Sequence, residues 1–209
     1  MRLLDLSQPL HSGMPVFPGD PEVRLEGAGA TPPWRVTGLE LGTHSGTHID
    51  AASHYVERGA TIDSYPLERF VLECSVIHLQ ASAGRALAWD DLAAGLPAEP
   101  AGRGVLLHTG WDVHWGGPKA ERHPFLSEEA ARRLAAAGVG LVGTDALNVD
   151  ATAEPTTAVH DALLGADVLV VENLTNLDEL EGGTLYTCAF VPLRLVGCDG
   201  SPIRAYAWV

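Results

Sequence analysis

The segment on which the fold and chemistry of this chain depend is GTHSGTHIDAASHY, residues 42–55. Three of the chain's nine histidines and one aspartate fall within the eleven positions from His44 to His54. A helix would place His44 and His48 on one face, but the glycines and threonines around them disfavour a helix. In an extended strand, positions 44, 48 and 50 share parity, so their side chains leave the same face. Either geometry brings two imidazoles and the Asp50 carboxylate together, a set that suits zinc, manganese or iron.

His54 lies four residues beyond Asp50, outside the tightly spaced set. A lone histidine is more often an exposed polar residue. The pattern H-x-x-x-H-x-D followed by a further histidine among small residues instead favours a metal site. His54 is either another ligand or a free base, and we favour the base, because a hydrolytic metal site needs a proton acceptor near the bound water.

Two distant residues could complete a site for a second ion. His160 lies in a predicted helix over residues 156–164, and Glu172 ends a predicted apolar strand over 166–172. Taken alone, His160 is interpreted as a helix surface residue and Glu172 as a solvated strand end. A carboxylate after so apolar a run also suits a metal, since its burial without a partner would be costly. Asp145 and Asp150 are predicted to be turn formers.

Composition limits the partners of this chain. It has 209 residues, with Lys+Arg 13 and Asp+Glu 27, so its net charge is −14. This length fits one domain over residues 1–209, and this charge excludes nucleic acid and anionic membranes as expected partners. The three cysteines form no C-x-x-C pair, so neither a disulfide framework nor a thiolate zinc site is predicted. With no signal-peptide pattern and no apolar membrane span, the expected location is cytoplasmic.

The alternation of apolar runs with glycine and proline predicts an α/β or α+β domain. The clearest helix begins after the N-cap Ser127 and stops at Gly138. The predicted strands cover residues 3–6, 36–41, 70–79, 104–109, 139–143, 166–172, 185–191, 193–196 and 203–208, and the predicted helices cover 89–96, 127–138 and 156–164.

The sequence HSGTHID, residues 44–50, followed by His54, resembles the signature of the cyclase-like metal-dependent hydrolases. That family includes bacterial kynurenine formamidase (arylformamidase) and isatin hydrolase. The opening LDLS of residues 4–7 and MPVFPGD of residues 14–20 are similar to the family's N-terminal pattern. The strand and turn over 141–145, the His160 helix and the Glu172 strand end also match, so the resemblance covers nearly the whole chain.

The resemblance implies an α/β fold with a β-barrel-like core and helices packed outside, assembled as a homodimer or homotetramer. In the two-zinc formamidases, the positions of His44, His48 and Asp50 bind one metal. Asp50 would bridge to the second, which His160 and Glu172 complete, with Glu172 touching both. His54 would be the proton donor and acceptor. The implied cofactor is Zn²⁺, one or two ions per chain, with Mn²⁺ as the alternative.

The resemblance also implies hydrolysis of an amide or formamide bond in a small, aromatic substrate. Phe17 and Trp111 are candidates to wall an apolar pocket for it, or else they only anchor loops. Three departures leave a cyclic-amide or lactone hydrolase as the alternative. Ala52 stands where the formamidases have proline, Phe17 where they have tryptophan, and TGWD of residues 109–112 resembles the broader cyclase group. Glu172 argues against a close isatin hydrolase, a branch with an amide side chain there and one manganese.

Three other classes of protein remain open from the residues. His48, Asp50 and His160 imitate the two-histidine, one-carboxylate triad of Fe(II) oxygenases, although His44 and Glu172 are then surplus. A structural metal site would be closed and would leave His54 unexplained. A ligand-binding relative without activity would have no need of the intact ligand set.

Overall fold

The computed structural model describes residues 2–27, 29 and 32–209. Its strands are β1 (Leu3–Asp5), β2 (Arg24–Gly27), β3 (Thr37–Glu40), β4 (His48–Asp50), β5 (Val71–His78), β6 (Ala86–Leu87), β7 (Gly104–His108), β8 (Phe125–Leu126), β9 (Leu141–Thr144), β10 (Leu169–Glu172), β11 (Leu185–Ala189), β12 (Gly200–Pro202) and β13 (Tyr206–Trp208). Its α-helices are α1 (Trp89–Leu92), α2 (Glu128–Ala136) and α3 (Ala158–Leu164). None of the helices described is long and apolar enough to cross a membrane.

Nine strands form one curled sheet in the order β1-β13-β11-β5-β7-β9-β10-β4-β12. The central strands β5, β7, β9 and β10 are parallel, and the flanking strands pair antiparallel. The curl brings the start of the chain back to the middle of the sheet, where Ser7 bridges to Leu174 beyond β10. The amide of Thr175 donates to the carbonyl of Leu6 at 3.1 Å. The sheet therefore curls into a half-barrel, in agreement with the predicted barrel-like core.

The central strands are apolar throughout because both of their faces are covered. In β7, Leu106 points into the core inside the curl, whereas Val105 and Leu107 point to the core beneath the helices. In β10, Leu169 and Val171 face inward while Val170 faces the helices. The period of two along each strand therefore places even and odd positions in different cores. It also determines that Glu172 shares the helix side with Val170.

The helices cover the outer face of the sheet. Helix α2 begins where predicted, because the Ser127 hydroxyl accepts a hydrogen bond from the amide of Ala130 at 3.2 Å. Gly138, with φ of +75°, follows its end. Helix α3 packs on α2 and on β10, which places it above the strand that ends in Glu172.

The α/β fold with a barrel-like sheet and helices outside is confirmed, and several element bounds differ from prediction. The strand predicted over 193–196 is wrong, since the backbone turns there: the Leu195 amide donates to Leu193 and the Cys198 amide to Leu195. The helix predicted over 89–96 ends at Leu92 and continues as a 3-10 turn over Ala93–Gly95. The strand predicted over 203–208 is shorter, with pairing at Gly200–Pro202 and Tyr206–Trp208.

Candidate active site

Strands β4 and β10 lie side by side and present three of the predicted ligands on the helix side of the sheet. Their antiparallel register places His48 opposite Glu172, and Asp50 opposite Val170. Ile49 between them belongs to the inner core, so His48 and Asp50 share the outer face. The parity argument therefore applies to positions 48 and 50, which lie in a strand. His44 lies outside it, in a turn that ends at β4.

His160, in helix α3, faces Asp50 and Glu172 from the helix side of the sheet. Its Nε2 lies 3.5 Å from Asp50 Oδ2 and 3.4 Å from Glu172 Oε1. His48 Nε2 lies 3.4 Å from Asp50 Oδ1 and 3.5 Å from Glu172 Oε2. A tetrahedral site with ligands at about 2.0–2.1 Å has ligand–ligand edges of about 3.3–3.4 Å. Each imidazole Nε2 therefore lies from one oxygen of each carboxylate at the separation that two ligands of the same ion have.

The Nδ1 atoms of His48 and His160 each have a hydrogen-bond acceptor outside this group of side chains. His48 Nδ1 donates to the Gly46 carbonyl at 2.8 Å, and His160 Nδ1 donates to Asp150 Oδ2 at 2.8 Å. If such a ring is neutral, its Nε2 presents a lone pair to two carboxylates. Such an arrangement is repulsive unless a proton or a cation lies between them. The donor set therefore fits a divalent cation.

The carboxylates of the group are buried yet charged. Asp50 is 0% exposed, and its Oδ2 has no hydrogen-bond partner among the described residues. Burial alone would raise the pKa of Asp50, but His44 and His48 hold it well below its usual range. Burial likewise opposes ionisation of Glu172, and hydrogen bonding by His160 and His48 lowers its pKa. This buried negative charge suits a cation.

His44 reaches the group from a turn. Gly46 has φ of +66°, and this left-handed residue turns the chain into β4. His44 Nδ1 lies 2.7 Å from Asp50 Oδ1, and its Nε2 lies 3.2 Å from Asp199 Oδ2. Against the effect of burial, these two carboxylates raise the pKa of His44 to about 9.

His54 lies beside the predicted ligands rather than among the four spaced at 3.4–3.5 Å. It ends the 3-10 turn Ala52–His54, and its ring stacks on His44 with centroids 3.9 Å apart. Its Nδ1 lies 3.4 Å from Asp199 Oδ2. Burial lowers the pKa of His54, while Asp50 and Asp199 oppose that shift. A neutral imidazole here can accept a proton.

Residues 4–151 match the family model described as "Putative cyclase". The chain belongs to the cyclase family. A kynurenine formamidase from Paracidovorax citrulli is 37% identical over 97% of this chain and 94% of its own length. A second, from Sphingopyxis alaskensis, is 34% identical over 98% of this chain and 96% of its own.

Solved structures agree with this assignment. Isatin hydrolase A from Labrenzia aggregata, bound to benzyl benzoate, is 27% identical, with a TM-score of 0.87 over 99% of this chain and 93% of its own. A "Potential Metal-Dependent Hydrolase With Cyclase Activity" is 32% identical, with a TM-score of 0.83 over 99% and 96%. These relatives confirm the predicted enzyme class, a hydrolase of C–N bonds outside peptides, and they support a metal cofactor.

A cavity of about 170 Å³ in this cyclase-family chain opens onto His48, His160 and Glu172. Phe17 lines it together with Tyr55 and Trp115, and its contact with a substrate stays a prediction. Trp111, the first residue of the 3-10 turn Trp111–His114, lies outside the lining of this cavity. There Trp111 Nε1 donates to the Lys119 carbonyl at 3.2 Å. Trp115 is the loop tryptophan at this cavity, and the substrate contact predicted for Trp111 stays a prediction.

Two aspartates that contact the site were not predicted to do so. Asp150 is a buried acceptor rather than only a turn former: it accepts from the amides of Val159 and His160 at the start of α3 and from the His160 ring. An acid shortly before a helix with a histidine in its first turn could have indicated this role. Asp199 has no such local signal, since it lies 155 positions from His44.

Proposed function

We propose that this chain is a formamide hydrolase that acts on a small aromatic substrate, with N-formylkynurenine as its candidate. The substrate is suggested by the names of the relatives. The observation that carries the proposal is the convergence of His48, Asp50, His160 and Glu172 at 3.4–3.5 Å beside the half-buried His54.

The proposed cofactor is zinc, one or two ions per chain, with manganese as the alternative. His44, His48 and Asp50 would hold one ion, and Asp50, His160 and Glu172 the other. Their mixture of imidazole and carboxylate ligands suits both metals. A bound ion would make water more acidic and polarise a carbonyl.

His54 is the proposed general acid and base. Its ring accepts the proton of the water that attacks the formyl carbon, and it returns a proton to the amine nitrogen as the C–N bond breaks. The products are then the free amine and formate. Because burial lowers the pKa of His54, the ring is neutral and ready to accept at neutral pH.

The cavity wall positions the substrate. Phe17, Tyr55 and Trp115 offer apolar ring surface on which an aryl group can pack. The cavity has a volume of about 170 Å³ beside His48, His160 and Glu172. A small substrate that fills this volume would exclude water from the reacting bond.

A cyclic amide is the second candidate substrate. The observation in its favour is the 27% identity to isatin hydrolase A over nearly the whole chain, together with Phe17 and Ala52 at positions where the sequence departs from the formamidase pattern. Isatin and N-formylkynurenine assayed side by side on one preparation would separate these two candidates.

Metal analysis of protein purified without added metal, paired with hydrolysis of N-formylkynurenine before and after chelation, tests the proposal. Near two zinc ions per chain with chelator-sensitive turnover is the expected result. Bound metal without turnover would remove this substrate, and no metal after reconstitution would contradict the site. The homodimer or homotetramer and the cytoplasmic location stay predictions, which size-exclusion chromatography and cell fractionation would check.

A further inference from the structure

One carboxylate outside the predicted ligand set faces two of the site's imidazoles. Asp199 lies just before β12, and its Oδ2 is 3.2 Å from His44 Nε2 and 3.4 Å from His54 Nδ1. The two rings stack on each other with centroids 3.9 Å apart. A single oxygen therefore lies at the shared edge of a predicted ligand and the predicted base.

The position of this carboxylate is well determined by its surroundings. Asp199 Oδ1 accepts from the Thr43 hydroxyl at 2.9 Å, which orients the group. The turn is tied down through the Gly197 amide, which donates to Asp63 Oδ1 at 2.9 Å. The next residue, Gly200, packs so closely that a Cβ there would lie 2.8 Å from Cε1 of His44. The ring and the turn thus fit against each other without free space.

The other two predicted histidine ligands have outer partners of the same kind. The Gly46 carbonyl accepts from His48 Nδ1, and Asp150 accepts from His160 Nδ1. Metal-binding histidines generally donate their second N–H to a carboxylate or carbonyl, which sets the tautomer and the orientation of the ring. For His44 that acceptor is Asp199.

We propose that Asp199 is the positioning residue of the site. It accepts the Nε2–H of His44, so that Nδ1 of this ring turns toward Asp50. It also faces the Nδ1–H of His54, which leaves Nε2 of that ring for proton transfer.

The second role is to orient the ring of His54, because the same Asp199 oxygen lies 3.4 Å from its Nδ1. The inference rests on the proposed function only for the roles of the metal ligands and of His54.

Asp199→Asn is the decisive variant, because the amide keeps the shape of the side chain and removes its charge. Metal affinity is measured by competition with a chromophoric chelator, and kcat and KM are measured on N-formylkynurenine. Loss of an outer partner of a metal ligand costs about 10- to 100-fold in metal affinity or activity. We expect a loss of that size in affinity or kcat, with KM changed by less than about threefold, and partial recovery in Asp199→Glu.

Asp63→Asn is the matched control. Asp63 anchors the same turn through the Gly197 amide, and it contacts neither His44 nor His54 within the described structure. The metal affinity and kcat of Asp63→Asn should stay within about threefold of wild type. This change is smaller than the ~10- to 100-fold loss expected when the hydrogen-bond partner of a metal ligand is removed. An equal loss in both variants would overturn the inference, since loop anchoring would then explain it. Wild-type affinity and kcat in Asp199→Asn would overturn it directly.

A second variant covers the case in which Asp199→Asn does not fold. Thr43→Val keeps the carboxylate and removes the hydroxyl that orients it. A loss of about 3- to 10-fold in affinity or kcat, smaller than the ~10- to 100-fold loss expected when the outer partner itself is removed, supports the positioning role. Wild-type values in a Thr43→Val protein overturn it.

Metal affinity and turnover of N-formylkynurenine, measured separately, also distinguish a failure of this inference from a failure of the proposed function. Chelator competition needs no substrate, so it tests Asp199 even if the wild-type protein hydrolyses no formamide. Wild-type metal binding without turnover would remove the proposed substrate alone. Weaker metal binding in Asp199→Asn would then still support the positioning role.

Discussion

Asp50 shows at the scale of one residue why the site suits a cation. Its carboxylate is 0% exposed, and Oδ2 has no hydrogen-bond partner in the structure described. A buried polar atom without a partner costs about 1–3 kcal/mol, and more when it is charged. A cation at this oxygen would remove that cost, which makes metal binding and the stability of the site interdependent.

Asp50→Asn is expected to lose bound metal. The amide has nearly the same volume but no negative charge, and its NH₂ group would face the Nε2 atoms of His48 or His160. Metal stoichiometry by inductively coupled plasma analysis should fall by at least one ion per chain. Asp167→Asn, in an exposed pair with Arg69, is the control. Unchanged stoichiometry in Asp50→Asn would contradict the bridging role.

His54→Ala is expected to separate binding from catalysis. The ring is a proton carrier rather than a proposed ligand, so metal content should stay at the wild-type value. Loss of a general acid–base group should lower kcat by about 10²- to 10⁴-fold. His11→Ala removes an exposed histidine as the control. A His54→Ala enzyme that turns over at the wild-type rate would show that another group moves the proton.

At the scale of elements, strand β4 and helix α3 form the site because their ends are defined by specific contacts. β4 is only three residues long, yet it is paired on both sides, with β10 and with β12. Asp150 accepts from two amides in the first turn of α3 and from the His160 ring. The same carboxylate therefore starts the helix and orients its histidine.

Ser127→Ala tests whether the N-cap of α2 contributes to stability, independently of the site. Loss of the hydroxyl that accepts from the Ala130 amide should lower the free energy of unfolding by about 1 kcal/mol. Chemical denaturation measures this change, and Ser127→Asp, which keeps an acceptor, should recover most of it. Equal stability of the alanine and wild-type proteins would mean that solvent satisfies this amide equally well.

At the scale of the whole molecule, the proposed metal ligands come from elements that lie far apart in the chain. His48 and Asp50 come from β4, His160 from α3 and Glu172 from β10. A ligand that binds only the folded state stabilises it, by about 2.7 kcal/mol at 100 times its Kd. An ion held by these elements should therefore stabilise the entire fold.

Chelation is expected to lower the Tm of the purified protein by about 5–10 °C. This range follows from about 2.7 kcal/mol and about 2–4 °C per kcal/mol for a chain of this size. Calorimetry with and without chelator measures it, and the Asp50→Asn protein should show a smaller shift. An equal Tm with and without chelator would contradict a metal bound across these elements.

The sequence predicted well where local physics decides the outcome. The apolar runs of β7 and β10 need burial on both faces, and the Ser127 and Gly138 signals define α2. The strand predicted at 193–196 failed because apolar content alone does not pair a strand. Val196 is 83% exposed there, and the backbone forms turns with itself.

The sequence by itself placed His48 and Asp50 together as candidate ligands, because their H-x-D spacing is a local pattern whose parity survives in β4. Only the tertiary structure decided which other groups meet it. Asp199 lies 155 positions from His44, and Asp150 and Trp115 depend on how α3 and the loop after β7 pack. Local spacing determines which side chains leave the same face of one element. Contacts between elements depend on how the chain returns, which no short pattern encodes.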